Sequence, residues 1–388
     1  MKELSIRTGK FTDSVIRRMT RISRKYDAIN LSQGFPDFDP PKEITDRLSE
    51  VALSGPHQYA ITWGAQNFRE ALAKKYKHFA GMDINPEEEI VVTCGSTEAM
   101  MASMMSVCNP GDKVVIFSPF YENYGADTIL SGAVPIYVPL KPPTFEFDAD
   151  ELENAIKQPG VKALILCNPS NPCGKVFNKK ELNIIAELSI RYDIFVITDE
   201  VYEHIVYEPN EHIYMAALTG MRERTITCSS LSKTYSITGW RLGYVIADKK
   251  ITERVKKVHD FLTVGAAAPL MEAAVTGLKF EDDYYLELKE HYTHMRNLFL
   301  NGLDNIGLVT TKPQGTYYVL MDISEFGYSD DLEFCEELIK KVGVAAVPGS
   351  GFFKEDVRNL VRFHFAKKDE TLIAAIDRLS DINKKMKI

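Results

Sequence analysis

The sequence predicts an α/β protein whose mainly parallel sheet is covered by helices on both faces. Three observations carry that expectation. Seven short β-rich runs alternate with helical patterns between about residues 65 and 250, several of those runs are apolar on both faces, and the polar clusters fall where the runs end.

The elements follow in order. Residues 66–79 (QNFREALAKKYKHF) place apolar side chains at helical spacing among good helix formers. Residues 89–93 read as a strand, and 98–107 as a helix rich in small residues and Met. Further strands are expected over 113–118, 134–138, 163–167, 194–198, 225–228 and 242–246, with a helix over 179–192. After residue 250 the texture changes. One long helical stretch over 249–301 is followed by a strand over 315–321, a helix over 332–341, strands near Val344 and Val361, and a terminal helix. This is an α+β unit, so a large domain over 46–275 and a smaller one over 276–388 are expected, with the boundary inside the long helix.

Composition narrows the function. The 388 residues are 45% hydrophobic and 26% charged, which excludes wholesale disorder and a fibrous fold. Net charge is −8 (46 basic against 54 acidic residues), and no long basic run makes nucleic acid or an anionic membrane the main partner. No apolar run approaches the ~18 residues of a membrane span, and the first residues carry no apolar segment of a secretory signal. No two of the six cysteines are spaced C-x-x-C; free thiols, no bound metal and a cytoplasmic location are expected.

The chemistry-bearing residues cluster at strand ends, where ligands of open α/β sheets bind. Asp199 closes the run IFVIT, and a carboxylate there needs a cationic partner, which a structural salt bridge would also supply. ALILC runs into Asn168-Pro169-Ser170-Asn171-Pro172-Cys173-Gly174, an irregular turn. Gly95-Ser96-Thr97 opens a helix, either as an ordinary cap or as a phosphate cradle to which Arg241 would add a fork. Lys233 follows Ser229-Ser230-Leu231-Ser232 and is unusual for a solvated face. The S-x-x-K of serine acylases occurs at 230–233 without its companion motifs. Neither G-x-G-x-x-G after a strand nor G-x-S-x-G is present, and His291 with His294 lacks an acidic companion for a metal.

Six segments occur together in order: NLSQGFPDF (30–38), NPCG (171–174), TDEVY (198–202), SLSK (230–233), GWRLG (239–243) and VRFHF (361–365). In these the chain resembles the class I/II aminotransferases of fold type I, which use pyridoxal 5′-phosphate (PLP). The resemblance covers nearly the whole chain and implies a large domain with a seven-stranded sheet and a small domain that residues 1–45 join. It implies that Lys233 forms the Schiff base with PLP and moves the substrate Cα proton. Asp199 would pair with the ring nitrogen, Tyr202 and Asn171 with the phenolic oxygen, and Gly95, Ser96, Thr97, Ser230 and Arg241 would hold the phosphate. Tyr121, with Phe120 as a substitute, would stack on the ring. Arg362 would grip the substrate α-carboxylate, with the Gly34 backbone facing it. Tyr59 would reach the cofactor of a neighbouring subunit in a homodimer.

The implied reaction is ping-pong: an amino acid leaves its nitrogen on the cofactor, and a 2-oxo acid such as 2-oxoglutarate collects it. Thr97 stands where aspartate-specific relatives often carry a lysine, which leaves aromatic and uncharged donors open beside aspartate. A PLP-dependent cysteine-conjugate or cystathionine β-lyase would share the same lysine and cofactor. A regulator of this family would need a DNA-binding domain of ~60 residues ahead of the fold. Only 29 residues precede Asn30, so an enzyme is expected.

Overall fold

In this computed structural model, residues 2–11 and 14–387 are described. The strands in chain order are β1 (Ile29–Asn30), β2 (Ile90–Thr93), β3 (Lys113–Ser118), β4 (Val134–Pro139), β5 (Val161–Cys167), β6 (Phe195–Asp199), β7 (Thr225–Ser230), β8 (Gly243–Ile246), β9 (Tyr318–Asp322), β10 (Val344–Ala345), β11 (Val347–Pro348) and β12 (Leu360–His364). Seven form one sheet in the order β2-β8-β7-β6-β5-β3-β4. The neighbours from β7 to β4 are parallel, and β8 runs against both β7 and β2. The mainly parallel sheet expected from the sequence is therefore present, with one reversed strand.

Period-two alternation assigns each strand's side chains to two cores. Ala163, Ile165, Ile197 and Ile226 pack with Met100, Ile251 and Val255 under the helices Ser96–Val107 and Lys249–Thr263. Leu164, Leu166 and Val196 pack with Leu182 and Ile185 of the helix Lys179–Arg191. That helix starts with a capping box: Asn178 and Glu181 satisfy each other's backbone N–H groups. Burial on both faces explains why these strands lack a polar side in the sequence.

The single long helix expected over 249–301 is three helices: Lys249–Thr263, Ala268–Leu278 and Asp282–Asn305. Val264, at φ 67°, ends the first, and Pro269 sits in the first turn of the second, where its missing N–H costs nothing. Each piece buries one face, so the helical spacing runs on across the breaks. Residue 275 lies inside the second helix, which packs on the helices Lys42–Ser54 and Gln66–Ala80; the next backbone break is at 279–281.

The C-terminal region builds a core of its own around Tyr292, Phe299, Phe334 and Phe363. Its antiparallel sheet has the order β11-β12-β9, with Arg362 opposite Leu320. β1 pairs in parallel with β10, Ile29 against Val344, which ties the N-terminal segment to this region. All six cysteines are free, and all but Cys94 are buried. No helix among the described residues is long and apolar enough to cross a membrane.

Candidate active site

A cavity of about 470 Å³ opens at the carboxyl ends of the parallel strands. Asp199, Tyr202, Asn171, Ser230, Lys233, Arg241, Ser96, Thr97, Tyr121, Gly34 and Arg362 all line it. Gly95 stands directly behind it, where an added Cβ would collide with the Arg241 guanidinium. Segments nearly 330 residues apart thus contribute to one space.

At the inner end, Asp199 is the last residue of β6 and is buried. Tyr124 donates its phenolic hydrogen to Asp199 Oδ2 at 2.7 Å, and the Val201 N–H approaches Oδ1 at 3.4 Å. Burial pushes the Asp199 carboxyl above its ordinary value, although Tyr124, Val201 and the Lys233 charge act the other way. Such a carboxylate gains by meeting a buried cation. Lys233 sits in the turn after β7, half-buried, and its ammonium donates to the Gly34 carbonyl at 3.3 Å. Burial lowers it to about 8; Asp199 opposes that fall, and Arg241 and Arg362 reinforce it. A lysine held near neutrality is able both to attack and to move a proton.

Another part of the cavity is built on the start of the helix Ser96–Val107. Gly95 precedes it at φ 86° and ψ 168°, a conformation reserved for glycine. Arg241, itself left-handed at φ 55°, is anchored by donating Nη1 to the Thr238 carbonyl at 3.0 Å. A Cβ on Gly243 would strike the Gly95 backbone, so β8 and this turn approach as closely as two backbones can. Helix-start N–H groups, the hydroxyls of Ser96, Thr97 and Ser230, and a guanidinium converge on one space. That donor set fits a phosphate.

Behind this turn lies a network the sequence did not reveal. Glu98, in the first turn of the helix, accepts from the Cys94 N–H at 2.5 Å, His259 Nδ1 at 2.6 Å and the Thr263 hydroxyl at 3.0 Å. His259 Nε2 lies 2.8 Å from the Thr62 carbonyl, so both ring nitrogens face acceptors, an arrangement that favours the charged ring. Burial works against each charge. Their mutual hydrogen bond nevertheless leaves Glu98 below and His259 above its ordinary value.

At the outer end, Arg362 of β12 is 1% exposed. Its plane is held between Tyr318 and Phe352, 4.1 and 4.5 Å from the ring centroids. Nη1 donates to Asn171 Oδ1 at 2.7 Å and Nη2 to the Ser32 carbonyl at 3.1 Å, while Nε is buried without a partner. No carboxylate among the described residues pairs with it, so the fork is free for one from outside. Tyr202 donates to the Tyr318 hydroxyl at 3.1 Å, and Tyr317 to the Gly34 carbonyl at 2.9 Å. Phe120 packs on Tyr137 away from the cavity, so of the two neighbours it is Tyr121 that lines the wall. Tyr59 is not brought to the cavity of its own chain and is 87% exposed.

Tyr124, Tyr317, Tyr318, Phe352 and Ser32 take part in the site, and no local pattern in the sequence singles them out as members. Tyr124 carried a faint signal, as a second tyrosine three residues after Tyr121, at the start of the helix Asn123–Leu130. The others depend on the pairing of β12 with β9 and on the path of residues 30–35, which no local pattern encodes.

Comparison with known proteins agrees with this geometry. Residues 26–379 match the family model for aminotransferase class I and II. The chain is 36% identical over 370 residues to the methionine aminotransferase of Escherichia coli (strain K12), covering 95% of this chain and 96% of that one. It is 33% identical over 420 residues to the kynurenine–oxoglutarate transaminase of Dictyostelium discoideum, covering 98% and 96%. The structure of N-succinyldiaminopimelate aminotransferase from Mycobacterium tuberculosis superposes with a TM-score of 0.94 at 36% identity, covering 98% of this chain and 99% of that one. These relatives favour amino-group transfer over the β-lyase alternative. The chain therefore belongs to the class I and II aminotransferases, PLP-dependent transaminases of fold type I that move an amino group from an amino acid to a 2-oxo acid.

Proposed function

We propose that the protein transfers the amino group of a medium-sized uncharged L-amino acid, methionine or an aromatic one, to 2-oxoglutarate. The observation that carries this reading is the convergence of Lys233, Asp199, Asn171 and Arg362 on one cavity. When bound, PLP supplies the electron sink that makes the substrate Cα–H acidic. The chain supplies the rest. Arg362 fixes the α-carboxylate of either substrate, so that both half-reactions use one fork. Lys233 Nζ holds the cofactor and then carries the proton at Cα. Asp199 keeps the proton on the ring nitrogen, and Tyr202 with Asn171 orients the phenolic oxygen. Arg241, Ser230 and the helix start at Gly95-Ser96-Thr97 anchor the phosphate, and Tyr121 covers the ring.

The donor class rests on the wall. Ile16, Phe35 and Tyr121 offer apolar surface, and Thr97 offers no cation. Arg17 at the rim, with no ion-pair partner among the described residues, suits the distal carboxylate of the acceptor. We propose further that residues 1–45 and those after the break at 279–281 form the small domain, and that two chains pair through the face carrying Tyr59. Leu53, Tyr59 and Phe261 are each exposed, at 90%, 87% and 91%, large apolar side chains of the kind that a second copy would cover. The assembly would be a cytoplasmic homodimer with shared sites.

The test is an absorbance spectrum of the PLP-loaded protein with a panel of amino acids. Methionine or aromatic donors should shift the visible band to the near ultraviolet, and 2-oxoglutarate should restore it. A shift produced by aspartate alone would overturn the donor class. Mixing Tyr59→Phe with Lys233→Ala chains should give hybrids with one unmodified site, and activity no better than the separate variants would remove the shared-site dimer.

A further inference from the structure

Asp127 is a second buried carboxyl beside Asp199 that nothing in the proposed chemistry uses. It lies on the helix Asn123–Leu130, 5% exposed, and its Oδ2 is buried without a hydrogen-bond partner. Asp127 and Asp199 line one small pocket of about 10 Å³, room for a single water, together with Tyr124, Tyr121, Ser96 and Thr97. Tyr124, one turn before Asp127 on the same helix, is the residue that donates to Asp199. The ionisable groups facing Asp127 are Asp199 on β6, Cys228 on β7 and the two tyrosines; no cation among the described residues pairs with it. Burial, and then the Asp199 charge, push it up to about 7.

A buried carboxyl oxygen without a hydrogen-bond partner costs stability. Its place explains it. We propose that Asp127 is a positioning residue for the cofactor ring: its negative charge adds to that of Asp199 and strengthens the hold on a protonated ring nitrogen. Bound PLP, bringing a cation to Asp199, favours ionisation of Asp127; in the empty site the two carboxyls oppose each other and Asp127 keeps its proton. The ring-nitrogen site thus carries a proton store whose state follows occupancy. This rests on the reading of Asp199 as the partner of the ring nitrogen.

The test titrates apoprotein with PLP across pH, for wild type, Asp127→Asn, Asp127→Leu and Asp199→Asn. At an effective dielectric constant of about 20, a unit charge roughly 10 Å away changes affinity by about tenfold. The ratio of wild-type to Asp127→Asn affinity should therefore rise by about tenfold as pH passes upward through neutrality. Asp127→Leu, different in shape but equally uncharged, should give the same ratio, which separates charge from packing. A ratio that stays flat with pH for both variants, while Asp199→Asn lowers affinity, overturns the role of Asp127 and leaves Asp199 standing. Unchanged affinity in Asp199→Asn removes the ring partner itself and overturns both.

Discussion

Replacing Gly95 with alanine separates the two duties of the turn before the phosphate helix. The backbone at φ 86° and ψ 168° lies in a region that only glycine occupies at ease, so the methyl group costs about 1–3 kcal/mol of stability. The new Cβ also collides with Arg241 Nη2. That guanidinium is the free end of a flexible side chain and swings away, so the collision adds little to unfolding. It removes Arg241 from the phosphate instead. A charge-assisted hydrogen bond is worth about 1.5–3 kcal/mol, hence a loss of PLP affinity of about tenfold to a hundredfold. Gly81→Ala is the control: Gly81 is left-handed at φ 65° with nothing near its Cβ, so it loses about 1 kcal/mol and no affinity. Gly243→Ala is the contrast, because its Cβ meets the backbone of Gly95 and Ser96, which must move, and folding suffers most. Urea denaturation of each apoprotein and spectrophotometric titration with PLP read the two effects apart. If Gly95→Ala binds PLP within twofold of Gly81→Ala, the cradle of Arg241 over Gly95 is not what holds the phosphate.

Three further outcomes follow from the structure. Arg362→Lys should keep PLP bound but raise KM for donor and acceptor alike by about a hundredfold, since an ammonium cannot reproduce a fork held between two rings; steady-state kinetics with each substrate varied shows whether both rise. His259→Asn should flatten the pH dependence of stability. The elevated value of His259 gives stability that is present below 6.5 and lost as pH rises through it, whereas the depressed value of Glu98 gives stability present above 4.5 and lost as pH falls through it. The pair therefore contributes most between 4.5 and 6.5, and urea midpoints across that window should lose their maximum in the variant. Lys75→Met should cost about 3–5 kcal/mol, because it strands Glu203. Burial pushes that carboxyl up, but the Lys75 charge, 2.5 Å away, brings it down to about 2; a denaturation midpoint within experimental error of wild type would refute this.

Much of this architecture was legible in the chain because strand burial and helix spacing are local. Each of the seven central strands was found within three residues, since runs such as ALILC and IFVIT have no other stable environment than a covered sheet. The long helix over 249–301 misled because all three of its pieces are apolar on one side, so the spacing runs on across the breaks; Pro269, which a helix interior disfavours, was the local sign that a new helix starts there. Of the site, the residues that follow strands were readable, as Asp199, Lys233 and Asn171 are polar where the pattern turns from apolar to irregular. Tyr318 and Phe352 around Arg362 were not, for they resemble ordinary core aromatics until β9 and β12 are paired. Asp127 was equally silent: one acid in a short helix says nothing until the helix face is known.

The pairing of β1 with β10 and the placing of Arg362 on β12 have a bearing on how the protein comes into being. The groups of the cofactor cradle lie between residues 95 and 241, within the part of the chain synthesised first. The substrate fork needs residue 362, and the segment around Ser32 and Gly34 finds its strand partner only at residue 344. On the proposed roles, the residues assigned to the cofactor are synthesised more than a hundred residues before the arginine assigned to the substrate carboxylate. The N-terminal segment meanwhile waits unpaired, because the contact it awaits is among the longest in the molecule. If those roles hold, the order of synthesis puts the groups for the cofactor first and those for the substrate last.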